Sequence, residues 1–394
     1  MSGEKRPFVV MAKPVGSRCN MLCSYCYYLE KGKYSSHRKQ GRMSNALLEQ
    51  LIEQAIAASP GPEVSFVWHG GEPTLAGLGF YRRAVELQKK HLPKGWQAWN
   101  NLQTNGLLLN KEWCRFLREN RFDVGLSIDG GETVHDANRR DLGGRPTYER
   151  VRQAVRLLHD AGIQPDLLCT VNAATAADPE GTYRALEELG CVWVQFIPIV
   201  VKLPEGRFSA ESVTPEGYGD FLCRVFDLWV HSGLGKLDIQ LFAETSRILA
   251  GGQASLCWMA PQCGRAPVVE EDGGVYACDH FVDPEHRLGT LDGKELSDLL
   301  GCSAMEDFGR AKRENLPAEC TECPWYRFCG GGCPKDRFKG SSYYLCGGLK
   351  RLFAHSVPVL ERLMELSRQG LGPGAIMKRI SDGNLIIERG KHND

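Results

Sequence analysis

Six strand-length apolar runs, at residues 7–15, 63–69, 97–104, 123–128, 164–172 and 191–200, alternate with segments of helical spacing. That alternation leaves few folds open. Leu47, Leu48, Leu51, Ile52, Ala55 and Ile56 follow a candidate N-cap at Ser44, and Val151, Ala154, Val155 and Leu158 precede Gly162, a residue suited to end a helix. The near-continuous run Val192-Trp193-Val194-Gln195-Phe196-Ile197 suits a strand covered on both faces, so the sheet is expected to be parallel and wrapped by helices. Six such units predict an α/β fold, a partial (β/α)6 barrel. Ligands of parallel α/β folds bind beyond the carboxyl ends of the strands. Polar, Gly-rich segments stand there: His69-Gly70-Gly71-Glu72-Pro73, Gln103-Thr104-Asn105-Gly106 and Ser127-Ile128-Asp129-Gly130.

After the last strand, residues 201–219 are rich in Pro, Gly and Ser and read as a long loop before a helix-like Phe221 to Val230. The expected domains are residues 1–235, a Cys-rich 236–348, and a helical tail 349–394 interrupted at Pro358. Between 252 and 346 there is little periodicity but much Cys and Gly, as in small domains ordered by metal. The chain has 16 cysteines in 394 residues, no run of about 18 apolar residues, and an N-terminus without an apolar signal core. A cytoplasmic protein with no membrane partner is expected, and in that reducing compartment the thiols read as metal ligands or catalytic groups. Lys+Arg and Asp+Glu are equal at 48 each, which leaves no electrostatic footprint for nucleic acid.

The thiols are unevenly placed. Cys19-x3-Cys23-x2-Cys26 follows the first strand and supplies three ligands. Three thiolates on a [4Fe–4S] cluster leave one iron open to an exogenous ligand, whereas zinc would require a fourth, distant side chain. A second group comprises Cys257, Cys263, Cys278, Cys320-x2-Cys323-x5-Cys329-x3-Cys333 and Cys346, eight thiols that would complete two closed clusters or a pair of zinc ribbons. The other five, Cys114, Cys169, Cys191, Cys223 and Cys302, fall mostly in apolar surroundings and read as core thiols.

Cys19-Asn20-Met21-Leu22-Cys23-Ser24-Tyr25-Cys26 resembles the signature of radical S-adenosylmethionine (SAM) enzymes, whose open iron is chelated by SAM. Gly70-Gly71-Glu72-Pro73 is similar to the family segment that contacts the methionine amino group, and Asp129 falls among the strand-end residues expected to face the cofactor. The later cysteines resemble the SPASM extension, which implies two auxiliary [4Fe–4S] clusters and three clusters in all. By that resemblance Cys257, Cys263, Cys278 and Cys333 bind the nearer auxiliary cluster, and Cys320, Cys323, Cys329 and Cys346 the farther one.

Across nearly its whole length the chain is similar to anaerobic sulfatase-maturating enzymes, which oxidise a Cys or Ser of a sulfatase precursor to Cα-formylglycine. Gly70 to Leu78, Leu102 to Gly106, Val124 to Gly130, His135 to Arg139 and Gly274 to Asp279 carry the likeness, in the same order. It implies that Tyr25, Gly71, Ser127, Arg139 and Val200 contact SAM, that Tyr28 and His69 line the substrate pocket, and that Asp279 is the base facing the target side chain. His69 departs from the Gln that compared members carry. A deoxyadenosyl radical would abstract a Cβ hydrogen, Asp279 would deprotonate the neighbouring thiol or hydroxyl, and an auxiliary cluster would accept an electron. The implied partners are a precursor with a Cys/Ser-x-Pro-x-Arg motif and a low-potential donor such as flavodoxin or ferredoxin. The same parts would serve a SPASM maturase that crosslinks a ribosomal peptide, and an iron–sulfur or zinc scaffold without catalysis is a more distant alternative.

Overall fold

Each of the six apolar runs forms a strand in the computed structural model, which describes residues 7–34, 41–338 and 341–382. The chain divides into two compact units. The first comprises residues up to Ser127, Asn138–Pro165 and Cys263–Ala311; the second comprises Ile128–Ala137, Asp166–Gln262 and the residues from Lys312 on.

In the first unit Val9–Ala12, Glu63–Trp68, Gln97–Thr104 and Phe122–Ser127 pair in parallel in that order, so their carboxyl ends share one edge. Helices Asn45–Ala58, Leu78–His91 and Lys111–Glu119 make the crossovers. Ser44 caps the first of them by accepting the Leu47 N–H at 3.1 Å, and Leu48, Leu51, Ile52 and Ala55 are buried. Gly162, at φ +72°, follows the Tyr148–Asp160 helix in the left-handed region that ends helices. The other edge of Val9–Ala12 is taken by Val268–Val269, which pairs in parallel, followed by antiparallel Gly274–Tyr276 and Arg287–Thr290. Part of the Cys-rich sequence therefore continues the first unit's sheet. The antiparallel strand Gly274–Tyr276 then leads into the Cys278–Asp279 turn, whose carboxylate comes within 3.8 Å of Lys13 Nζ.

The second unit contains parallel Asp166–Val171, Trp193–Pro198 and Asp238–Ile239. Two differences from the sequence reading occur here. The helix after the last barrel strand starts at Pro215, with Thr214 as cap and proline in its first turn, so the end of the expected 201–219 loop is helical. Cys346–Arg368 is one helix of 23 residues that runs through Pro358. It packs on Pro215–Leu228 where Gly219 and Gly348 meet; a Cβ on Gly219 would lie 2.9 Å from Gly348 Cα. An interior proline costs a helix roughly 3 kcal/mol. Burial of Leu352, Phe353, Val357, Val359 and Leu360 offsets that cost.

Candidate functional site

The Cys19 loop is held by backbone bonds to the Gly-rich segment after the second barrel strand. His69 N–H donates to Ala12 O, Gly71 N–H to Gly16 O at 2.8 Å and Glu72 N–H to Arg18 O at 2.8 Å. A Cβ on Gly71 would sit 2.1 Å from Arg18 O, so only glycine admits this approach. The Glu72 carboxylate is 1% exposed and accepts from Thr74 N, Thr74 Oγ1, Thr104 Oγ1 and Asn105 N. Burial raises its pKa against those bonds. It thereby locks the third strand's end to the Gly-Gly turn. Asn105 then reaches the cysteine loop, donating to Asn20 Oδ1 at 2.8 Å and to Cys19 Sγ at 3.7 Å.

Met21–Cys23 forms a short ladder with Arg139–Asp141 that places Cys23 opposite Arg139. Ser24 binds Asn138 through backbone and side chain, and the Arg139 guanidinium lies 5.6 Å from the Tyr25 ring centroid. Ser127 accepts from Gln103 Nε2 at 3.1 Å. The structure thus brings Cys19, Cys23, Cys26, Tyr25, Gly70, Gly71, Glu72, Ser127 and Arg139 into the first unit. Asp129 and Val200 lie in the second. Asp129 is buried, accepts Thr170 N–H at 3.0 Å and donates its own N–H to His135 Nδ1; Val200 is half-buried beyond Trp193–Pro198.

Around Lys13, which follows Val9–Ala12, stands an ionic cluster that is buried at Lys13 and Glu270, half-buried at Asp279 and exposed at Tyr27. Asp279 Oδ2 accepts the Tyr27 hydroxyl at 2.7 Å and lies 3.8 Å from Lys13 Nζ. Lys13, with no exposed surface, also donates to His69 Nδ1 at 2.9 Å and lies 4.4 Å from the Tyr28 ring centroid. Because Gly70 N–H donates to the same Nδ1 at 2.7 Å, His69 is the tautomer with hydrogen on Nε2. Tyr28 donates to the buried Glu270 carboxylate. Burial and the Lys13 charge push His69 down to about 3, so it is neutral at physiological pH. Burial would raise Asp279, but His280, Lys13, His69 and Tyr27 outweigh it and hold the carboxyl well below the usual carboxylate range. Burial lowers Lys13 against the pull of Asp279 and Glu270, and it raises Glu270.

Of this cluster, sequence reasoning found Tyr28, His69 and Asp279 and missed Lys13, Tyr27 and Glu270. The available signal was a lone cation closing the apolar run Val9-Val10-Met11-Ala12-Lys13, and a carboxylate closing Val268-Val269-Glu270.

The donor sets fit iron–sulfur groups. Burial pushes the Cys19 thiol up to about 12, with Glu72, Cys23 and Cys26 adding to the rise, so a thiolate there needs a neighbouring cation of the kind a metal supplies. In the second unit Cys320, Cys323, Cys329 and Cys346 line one pocket, walled by Trp325, Tyr343 and Phe353. Four thiols on one pocket match the ligand count of a closed cluster. Cys257 and Cys333 also belong to the second unit, Cys263 and Cys278 to the first. None of the 16 cysteines forms a disulfide; Cys114, Cys169 and Cys191 are buried and Cys223 and Cys302 half-buried.

Residues 14–187 match the family described as "Radical SAM superfamily" and residues 247–324 that described as "Iron-sulfur cluster-binding domain". A radical SAM protein with an appended iron–sulfur domain is therefore the class that fold and site define. More narrowly, the chain belongs to the anaerobic sulfatase-maturating enzymes. It is 39% identical to the "Serine-type anaerobic sulfatase-maturating enzyme" of Bacteroides thetaiotaomicron, over 97% of each chain. It is 34% identical to the "Cysteine-type anaerobic sulfatase-maturating enzyme" of Clostridium perfringens, over 90% of this chain and 97% of the relative. The solved structure "Native anSMEcpe with bound AdoMet and Cp18Cys peptide" superimposes with a TM-score of 0.84 at 32% identity, covering 91% of this chain and 99% of that one. The likeness agrees with a partial (β/α)6 barrel bearing a Cys-rich extension, as read from the sequence. Among the described residues no helix is long and apolar enough to cross a membrane.

Proposed function

We propose that this chain oxidises the Cys or Ser side chain of a sulfatase precursor, within a Cys/Ser-x-Pro-x-Arg motif, to Cα-formylglycine. One observation carries the reading: a three-thiol loop, the glycine turn bonded to it, and an ionised carboxylate backed by Lys13 and Tyr27 all belong to the first unit. Cys19, Cys23 and Cys26 hold the first [4Fe–4S] cluster. Gly70, Gly71, Tyr25, Ser127 and Arg139 shape the first unit's share of the SAM site, with Glu72 bracing the glycine turn through its four bonds, and the sequence resemblance adds Asp129 and Val200. Cys320, Cys323, Cys329 and Cys346 hold one auxiliary cluster, and the sequence resemblance gives Cys257, Cys263, Cys278 and Cys333 to the other. When bound, these groups supply the one-electron chemistry: a deoxyadenosyl radical that takes a Cβ hydrogen, and an acceptor for the second electron.

The chain's own residues do the rest. Asp279 is 16% exposed in its side chain and stays ionised, so it accepts a proton rather than donating one. A carboxylate held this low is too weak a base for an ordinary thiol or alcohol. A substrate S–H or O–H made more acidic by loss of the Cβ hydrogen would come within its reach as a base. Tyr27 and Lys13 fix Asp279 Oδ2. The Nε2–H of His69 orients the substrate side chain as a donor, and Tyr28, whose hydroxyl is committed to Glu270, shapes the pocket wall. The domain division at residues 235 and 348, a cytoplasmic location, a donor of the flavodoxin or ferredoxin class and no role for nucleic acid complete the proposal.

The test is anaerobic incubation of the iron-loaded protein with SAM, a reductant and Cys and Ser forms of such a peptide, followed by mass analysis. The Ser form is expected to lose two hydrogens, and the Cys form to lose two hydrogens and exchange sulfur for oxygen. Unchanged or internally crosslinked peptides would refute the assignment.

A further inference from the structure

The ladder of Met21–Cys23 on Arg139–Asp141, which carries one of the three thiols, is buried on one face and open on the other. Met21, Arg139 and Asp141 are buried and Cys23 is half-buried, whereas Leu22 and its cross-strand partner Arg140 are exposed. Continued past Asp141, the alternation puts Leu142 on the same outer side. Leu22 is 52% exposed and Leu142 61%, the two highest values of any large apolar side chain among the described residues. The turn beyond them is firmly bonded. The Asp141 carboxylate accepts the N–H groups of Gly143 and Arg145 at 3.0 Å each, Gly144 N–H donates to Asp141 O at 2.9 Å, and Arg140 Nη1 donates to Gly144 O at 3.0 Å. Arg145 and Arg150 both reach Asp141 Oδ2, at 2.9 and 3.2 Å, and remain exposed. Three guanidiniums thus share one carboxylate, and among the described residues none is bonded to Arg140.

An apolar centre with a cationic rim is the make-up of a docking face. Two observations say what fits it. Leu22 is the residue before Cys23 on the same strand, so a partner seated on the outer face stands across one strand from the three-thiol loop. The surplus charge is positive, which repels a substrate segment bearing the arginine of Cys/Ser-x-Pro-x-Arg and steers in an acidic protein. An acidic one-electron donor satisfies both conditions, and the apolar ring edge of a flavin suits the leucine pair. Electron-transfer encounters are small, below about 1,200 Å² in total, so a face of this size is enough. No bond forms or breaks in the transfer: the donor loses one electron and the first cluster gains it.

We propose that the face formed by Leu22, Arg140 and Leu142 docks an acidic flavodoxin that reduces the first cluster. The inference rests on the assignment of Cys19, Cys23 and Cys26 to that cluster. Its test is titration of oxidised flavodoxin into the reconstituted chain and into Arg140→Glu, Leu142→Asp and Arg140→Lys, at low and at high salt. Anaerobic SAM cleavage is then measured with reduced flavodoxin and, separately, with dithionite. Kd is expected to rise about tenfold or more in Arg140→Glu, in Leu142→Asp and in the wild type at high salt, while Arg140→Lys at low salt stays near the wild type. Sub-saturating flavodoxin is expected to support correspondingly less SAM cleavage in the two disruptive variants, and dithionite, which needs no docking face, as much as in the wild type. A wild-type chain that does not bind flavodoxin, or an unmoved Kd in both disruptive variants, would overturn the proposal. So would an equal loss of cleavage with dithionite in both, which would make the face a requirement of folding alone. A wild-type chain that fails to cleave SAM even with dithionite would instead defeat the cluster assignment.

Discussion

Gly71→Ala is the sharpest single-atom perturbation of the proposed SAM site. The added Cβ would meet Arg18 O at 2.1 Å, Arg18 C at 2.5 Å and Ser17 C at 2.6 Å, all backbone atoms of the loop that leads into Cys19. No rotamer can relieve such a clash. If the loop retreats, the Gly71 N–H to Gly16 O and Glu72 N–H to Arg18 O bonds are lost, at about 1 kcal/mol each net. Residual overpacking adds about 1–3 kcal/mol. The expected loss is therefore about 3–5 kcal/mol, a large share of the stability of an ordinary domain. Anaerobic urea unfolding, iron analysis and SAM cleavage should be run together, with Gly77→Ala as control. Gly77 also has a positive φ, +81°, yet nothing lies within 4 Å of its Cβ position, so its substitution costs backbone strain alone, about 1–3 kcal/mol, with no displacement of the cysteine loop. Gly71→Ala is expected to lose iron from the first cluster and to stop cleaving SAM, and Gly77→Ala to retain both. A Gly71→Ala protein within about 1 kcal/mol of wild type, with normal SAM cleavage, would refute the close-approach argument.

Lys13→Met removes the ammonium between His69 and Asp279 and should cost about 3 kcal/mol in urea unfolding, with Lys13→Arg failing to restore peptide oxidation because a planar fork cannot replace a point charge. Asp279→Asn should cut formylglycine formation about 100-fold or more while SAM cleavage continues, measured as 5′-deoxyadenosine released without product. His69 has a folded value of about 3 against 6.5 for the free group, so the unfolded chain binds the extra proton and stability is lost as pH falls through that interval. Between pH 7 and 5.5 the wild type should lose about 1.2 kcal/mol relative to His69→Gln; equal pH slopes for the two would show that His69 is not neutral. Glu270, raised by burial from 4.5 to about 8, acts with the opposite sign, its stabilising share fading as pH rises through that interval, so Glu270→Gln should alter the slope of the same curve between those values and leave the alkaline limb unchanged.

The barrel was legible because its signals are local. Each strand announced itself by an apolar run, and Ser44 and Gly162 marked helix ends through cap geometry that depends on single residues. Spacing showed that the cysteines cluster, but the grouping of Cys346 with Cys320, Cys323 and Cys329 around one pocket came from the family resemblance, since spacing does not separate Cys333 from them. What the sequence hid is what depends on non-local pairing. Nothing in Val268–Val269 says that it will extend the first barrel strand, yet from that pairing the chain runs on through Gly274–Tyr276 to Asp279, whose carboxylate comes within 3.8 Å of Lys13 Nζ. Likewise, Arg139 meets Tyr25 only because a three-residue ladder forms between segments more than a hundred residues apart. Lys13 was overlooked for a related reason: a lysine in sequence reads as solvated surface, and only tertiary closure shows it buried beside a carboxylate. Pro358 misled in the other direction, since tertiary burial carries a helix through a residue that local propensity would use to end it.

The most direct test of radical abstraction at the substrate carbon is isotopic. A precursor peptide carrying deuterium on Cβ of its Cys or Ser, turned over anaerobically with unlabelled SAM, should yield 5′-deoxyadenosine that contains deuterium in step with the aldehyde formed. Aldehyde accumulating while the 5′-deoxyadenosine stays free of deuterium would contradict the account.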